Sequence, residues 1–209
     1  MLRRFCCFAF LMGLMLPALT LSAAAQDRAA GLRIARSRAQ HLKQGINASG
    51  WFAQAGDYSA ARTDRYTDAA DIALIAKLGF DNVRLSIDAA PLDQRPLGAD
   101  GLNDDFVARL DKAVDTMLAD GLAVQIDLHP EDSYKMPLRS SNEAVERLEM
   151  LWRKLAAHYA TRDPERVFFE VMNEPEVNDA YRWAGIQARV AAAIREVAPR
   201  NTIIATGPN

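Results

Sequence analysis

The segment Val167–Pro175, VFFEVMNEP, ends a hydrophobic run on an amide and a carboxylate, Asn173 and Glu174. Just past the carboxyl end of a buried strand, a glutamate can protonate a leaving oxygen if burial and a neighbouring negative charge raise its pKa, and the preceding amide can hydrogen-bond a substrate hydroxyl. Glu174 could equally be an N-cap-like turn residue before Pro175. Arg84, in the middle of another hydrophobic stretch, must be paired if it is buried. Asp127 or Glu170 could form that interior pair, and in a reactive site the guanidinium would hold a nucleophilic carboxylate ionised. His129, ending the run that begins at Leu122, could hydrogen-bond a hydroxyl or sit as a satisfied core imidazole. His41 and His158 read as surface or helix-end residues.

These residues need strands and helices to position them. From Lys43 onward short apolar runs alternate with stretches of helical spacing at a period of about 40 residues, the pattern of successive strand–helix units. The strands are expected at Gln44–Ala48, Asn82–Ile87, Leu122–Leu128, Val167–Met172 and Thr202–Thr206. Four apolar stripes mark the helices: Ile72, Ile75 and Leu78; Phe106, Leu110, Val114 and Met117; Val145, Leu148, Trp152, Leu155 and Tyr159; Trp183, Ile186, Val190, Ile194 and Val197. Asn103 and Asn178 are expected N-caps, Ser140 with Glu143 has capping-box spacing, and Gly79 and Gly121 are expected helix stops.

Within the strands Val83, Leu85 and Ile87 alternate with Arg84, Ser86 and Asp88, and Val124, Ile126 and Leu128 alternate with Gln125, Asp127 and His129. A parallel strand buried between two helix layers reads as continuously apolar. One charged face points instead to the closed interior of an α/β (β/α)8 TIM barrel. Such barrels typically need about 250 residues, so only about the first five strands and four helices are expected here, a truncated barrel over residues 26–209.

Taken together, GINASGWF from Gly45, GFDNVRLSID from Gly79, DLHP from Asp127, FEVMNEP from Phe169 and TIIATGPN from Thr202 resemble the first five strand ends of glycoside hydrolase family 5, the cellulase family. The resemblance covers nearly all of the chain beyond the leader. It implies a retaining glycosidase that cleaves β-1,4-linked polysaccharide or oligosaccharide, with Arg84, His129, Asn173 and Glu174 in the active site, Glu174 as general acid/base, and no cofactor. The family's nucleophile lies on a seventh strand and is expected to be missing from this chain, so that the chain alone would be inactive. The alternative is a non-catalytic carbohydrate-binding half-barrel. Sugar rings stack their apolar faces on aromatic planes, which makes Trp51 and Tyr134, expected in loops, candidate substrate contacts, with Phe52 and Tyr58 beside Trp51. Asn47 is a third candidate contact and also begins a glycosylation sequon whose strand-end position argues against occupancy.

The remaining features bound the class. Arg3 and Arg4, the apolar run Phe5–Leu21 and the small residues Ala23–Ala25 have the anatomy of a secretory signal over residues 1–25. A secreted or periplasmic protein is expected, with no membrane contact after processing and a monomeric full-length form. Both cysteines, Cys6 and Cys7, fall in that leader. The sequence His129-Pro130-Glu131 matches half of a zinc-deaminase signature, but that site needs cysteine ligands, and no metal is expected. The net charge of −2 has no basic cluster to track phosphates, which excludes nucleic acid as a partner.

Overall fold

The computed structural model describes residues 23–208. Most of the expected signal, with Cys6 and Cys7, lies outside the described residues. Two units are distinguished, one ending at Ile34 and one from Ala35 onward. Helix α1 spans Ala23–Ala39 and so begins at the small-residue junction of the expected leader. Its alanines favour helix without forming an apolar stripe, which is why periodicity did not reveal it. Among the described residues no helix is long and apolar enough to cross a membrane.

The larger unit contains five parallel strands in sequential order: β1 Gly45–Phe52, β2 Asn82–Ile87, β3 Ala123–Leu128, β4 Val167–Glu170 and β5 Thr202–Ile204. Helices α2 (Ala60–Tyr66) and α3 (Ala69–Lys77) link β1 to β2, and α4 (Ala89–Leu92) and α5 (Asp104–Ala119) link β2 to β3. After β3 come α6 (Asp132–Lys135), a 3-10 turn at Met136–Arg139 and α7 (Asn142–Tyr159), and α8 (Ala180–Val197) joins β4 to β5. All four pairings are parallel. The arrangement is that of five successive strands of a (β/α)8 barrel with the helical connections between them.

The helix-facing side of the sheet is the apolar parity. Val83, Leu85, Ile87, Val124, Ile126, Leu128, Val167, Phe169 and Val171 are fully buried against the stripes of α5, α7 and α8. Each large side chain removed from water contributes roughly 1.5–3 kcal/mol. Trp152 is wholly buried, and its indole N–H donates to the Val171 carbonyl at 2.8 Å, tying α7 to the end of β4. The opposite parity forms rows across the sheet. Asn47, Arg84, Gln125, Phe168 and Thr202 are in register, and so are Ser86, Asp127, Glu170 and Ile204.

Helix ends follow local chemistry. Gly79 and Gly121 take φ of +90° and +85°, the left-handed geometry that stops a helix. The Asn103 side chain caps α5 by accepting from the Phe106 N–H. Two expected caps move by one residue. Ser141, not Ser140, accepts from Ala144 at the start of α7, and Asp179, not Asn178, accepts from Tyr181 and Arg182 at the start of α8. A carboxylate serving two helix N–H groups outcompetes the neighbouring amide. Strand β1 also runs beyond its expected end at Ala48, because Gly50 at φ +69° absorbs a register shift before Phe52 pairs with Ile87.

Candidate active site

The site is built where β4 ends. Beyond Glu170 the chain stays clamped between its neighbours: the Val171 N–H donates to Ile204 of β5 at 3.2 Å, and the Asn173 N–H donates to Leu128 of β3 at 2.8 Å. Glu174 follows at φ +41°, a left-handed conformation uncommon for a residue with a side chain. Asn173 is half-buried, Glu174 is exposed and Pro175 is buried. The turn therefore turns the carboxylate out to solvent while its flanks stay fixed.

Arg84 projects from the middle of β2 into this region. Its Nε and Nη2 donate to the two oxygens of Glu170 at 2.7 and 2.6 Å, a bidentate pair, and Nη2 also donates to Asn173 Oδ1 at 3.0 Å. Asp127 Oδ2 lies 3.1 Å from the same Nη2. The Arg84 side chain is 19% exposed while that of Asp127 is wholly buried. Both candidates for the interior pair, Asp127 and Glu170, thus share one guanidinium. Arg84 is held above its ordinary pKa, first by the hydrogen bonds to Glu170 against the opposing effect of burial, then by the charges of Asp127, Glu170 and Glu174. The exposed Glu174 adds the smallest of these contributions, while Glu170 and Asp127 are the carboxylates in contact with the guanidinium.

His129 closes the network. Its Nδ1 is 2.9 Å from Asp127 Oδ2 and its Nε2 is 3.1 Å from the Asn173 amide nitrogen. The structure thus brings together Arg84, His129 and Asn173, with Glu174 adjacent. It adds Glu170 and Asp127, which the sequence offered as pairing partners for Arg84.

The aromatic candidates lie elsewhere. Trp51 is not in a loop but inside β1, 4% exposed, with its indole N–H donating to the Thr63 carbonyl at 2.7 Å. It also lines a cavity of about 330 Å³ shared with Ile72, Arg109 and Lys112. The extended β1 carries the ring into the core rather than presenting it on a loop. Tyr134 sits in α6, half-buried; the Arg147 guanidinium covers its ring at 5.1 Å, and its hydroxyl is buried without a partner among the described residues. Asn47 is exposed on β1, in register with Arg84. Phe52 is core, and Tyr58 donates to Asp88 Oδ2 at 3.1 Å, with burial foremost in raising its hydroxyl to about 12.

His158 is not a plain helix-end residue. Its two ring nitrogens meet Asp100 at 2.8 Å and Asp111 at 2.9 Å, and Arg162 joins Asp111 and Asp115 beside it. The hydrogen bond to Asp111 is the leading cause that raises its pKa. Nothing local in the sequence signals this cluster, since its acids come from a loop and a helix well upstream.

Comparison with known proteins gives a consistent picture. The family model described as Cellulase (glycosyl hydrolase family 5) matches residues 43–209. Cellodextrinase A of Ruminococcus flavefaciens is 32% identical over 177 residues, covering 80% of this chain and 51% of that protein. Endoglucanase C of Acetivibrio thermocellus is 28% identical over 162 residues, covering 75% and 47%. Among solved structures, Thermotoga maritima Cel5A in complex with cellobiose superposes with a TM-score of 0.68 at 26% identity, covering 82% of this chain and 54% of the other. The chain spans about half the length of the curated relatives it matches.

Proposed function

The chain belongs to glycosyl hydrolase family 5, the cellulase family, and from that premise we propose that it is the amino-terminal part of an exported, retaining β-glycan hydrolase. The observation that carries this reading is the position of Asn173 and Glu174, within the matched segment, at the end of β4 and beside the Arg84–His129 network. Glu174 acts as general acid/base. It protonates the departing glycosidic oxygen, then takes a proton from the water that hydrolyses the glycosyl ester. The left-handed turn holds it out from the strand end, and Asn173 beside it hydrogen-bonds a sugar hydroxyl.

Retention also requires a second carboxylate, about 5–5.5 Å from the first, to form that ester. The family resemblance assigns it to a seventh strand, beyond the five described. β-1,4-linked glucan is the proposed substrate. The names of the relatives and the cellobiose complex of Cel5A support a β-linked oligosaccharide. The reaction needs no cofactor. The basic start, apolar run and small-residue junction of the leader support export with processing near Ala25. Amino-terminal sequencing of protein recovered outside the cytoplasm checks that point.

The test of mechanism is Glu174→Ala in the full-length enzyme. Turnover of substrates with poor leaving groups should fall by about 10²–10⁴, the usual worth of general acid–base catalysis. Aryl glycosides with acidic leaving groups need little protonation, so their first step should survive and the second should slow. Azide, which needs no general base, should then restore turnover and leave as a β-glycosyl azide. Equal losses on both substrate types with no rescue by azide would move the acid/base away from Glu174.

A further inference from the structure

Outside the Arg84–Glu174 cluster, a cavity of about 330 Å³ lies where α2, the start of α3 and α5 meet the end of β1. Helices α3 and α5 are neighbours, but Ala69, Ala70 and Ala113 supply little bulk between them, so their ridges do not fill the intervening groove. Part of the lining is apolar and nearly closed to solvent: Trp51, Ile72 and Ala113 are 4%, 2% and 3% exposed. The indole N–H of Trp51 is already spent on the Thr63 carbonyl at 2.7 Å, so the ring brings apolar surface and no unmet donor. The volume falls within the range of small-molecule pockets.

Two cations line the same space. Arg109 and Lys112 stand at i, i+3 on α5 and so share a face of that helix. The half-buried Arg109 donates from Nη2 to the Tyr58 carbonyl at 3.2 Å, which holds the guanidinium in place, whereas its Nε is buried with no partner among the described residues. A buried N–H left unmet is costly, and a ligand oxygen would meet it. Lys112 is exposed and its ammonium forms no ion pair among the described residues. The carboxylates lining the cavity, Asp64 and Asp68, are exposed and come from α2 and the N-cap of α3, where Asp68 accepts from the Ala70 and Asp71 N–H groups.

We propose that this cavity binds a small organic monoacid, its carboxylate on Arg109 Nε and the Lys112 ammonium and its apolar body against Trp51, Ile72 and Ala113. A guanidinium and an ammonium supply charge-assisted donors to one carboxylate, and withdrawing the apolar body from water onto these side chains supplies the rest. Asp64 and Asp68 repel a second negative charge, so the site discriminates against dianions and phosphates. A neutral glucan has no charge for Arg109 to meet, so this ligand is of a different class from the proposed substrate. No residue lining the cavity belongs to the network of Arg84, His129, Asn173 and Glu174.

The test is calorimetric titration of the full-length enzyme with 3-phenylpropionate, which joins one carboxylate to an apolar body small enough for the cavity. A dissociation constant of roughly 0.1–1 mM is expected for a ligand of this size. Arg109→Met should weaken binding by about 10–100-fold and Lys112→Met by about 3–10-fold. The exposed position of Lys112 keeps that variant clear of the core, so its folding is not at stake. Ala113→Leu fills the space and should abolish binding, and the neutral 3-phenylpropanol should bind at least about 10-fold more weakly than the acid. Saturation with cellotetraose should leave the affinity for the acid unchanged. No saturable binding to wild type overturns the proposal, as does equal affinity for acid and alcohol, or wild-type affinity in folded Arg109→Met, Lys112→Met or Ala113→Leu. Competition by cellotetraose also overturns it, by placing the acid in the glycan cleft.

Discussion

Replacing Arg84 with methionine keeps most of the apolar stem and strands two carboxylates inside the sheet. Asp127 is fully buried and Glu170 is 7% exposed. The guanidinium gives Glu170 two hydrogen bonds, at 2.7 and 2.6 Å, and lies 3.1 Å from Asp127. Removing one partner of a buried pair costs about 3–5 kcal/mol, and because one cation here compensates two anions, the upper part of that range is expected. Glu170→Gln removes one charge and leaves Arg84 held by Asp127 and Asn173, so its cost should be about 1.5–3 kcal/mol, the worth of hydrogen bonds to a charged group. Urea denaturation of wild type and the two variants at one protein concentration measures these costs, with a slope of about 2–3 kcal/mol/M converting midpoint to energy. A cost for Arg84→Met below about 1 kcal/mol, the level of a surface pair, would refute the argument, as would a larger cost for Glu170→Gln.

Three further outcomes are expected. His158, whose pKa is raised above 6.5 chiefly by Asp111, adds stability that is fully present below that value and lost as pH rises through the folded one; His158→Gln should therefore destabilise more at acidic than at alkaline pH in paired denaturation curves. Trp152→Phe leaves the Val171 carbonyl without its indole donor, and should cost about 1–3 kcal/mol, measured as a fall in the urea midpoint. Trp51→Phe loses the bond to Thr63 and should cost about 0.5–1.5 kcal/mol, while calorimetric titration with cellotetraose should return the wild-type affinity.

Much of the fold was legible because the signals are local. Alternation in β2 and β3 separates an apolar from a charged face within six residues of chain, and the stripes of α5, α7 and α8 repeat within each helix. The glycine stops and the Asn103 cap also depend only on near neighbours. Short elements escaped this reading: α2, α4 and α6 have too few turns to display a period, and α1 has helix-favouring alanines but no stripe. Trp51 was misjudged because the fate of its ring depends on the shift at Gly50 that prolongs β1 into the core.

For the site, the sequence by itself determined which residue types stand at the strand ends: Arg84 on an inward parity, His129 after β3, and Asn173 with Glu174 after β4. Tertiary structure decided who partners whom. Arg84 and Glu170 are 86 residues apart, and only the register of β2, β3 and β4 aligns Arg84 with Gln125 and Phe168, one row from Asp127 and Glu170. The His158 cluster likewise exists only because the fold brings His158 of α7 to Asp111 of α5 and to Asp100 of the loop before it. Periodicity is a property of one segment, whereas an ion pair across a sheet depends on how several segments are stacked, and that is settled when strands find their register.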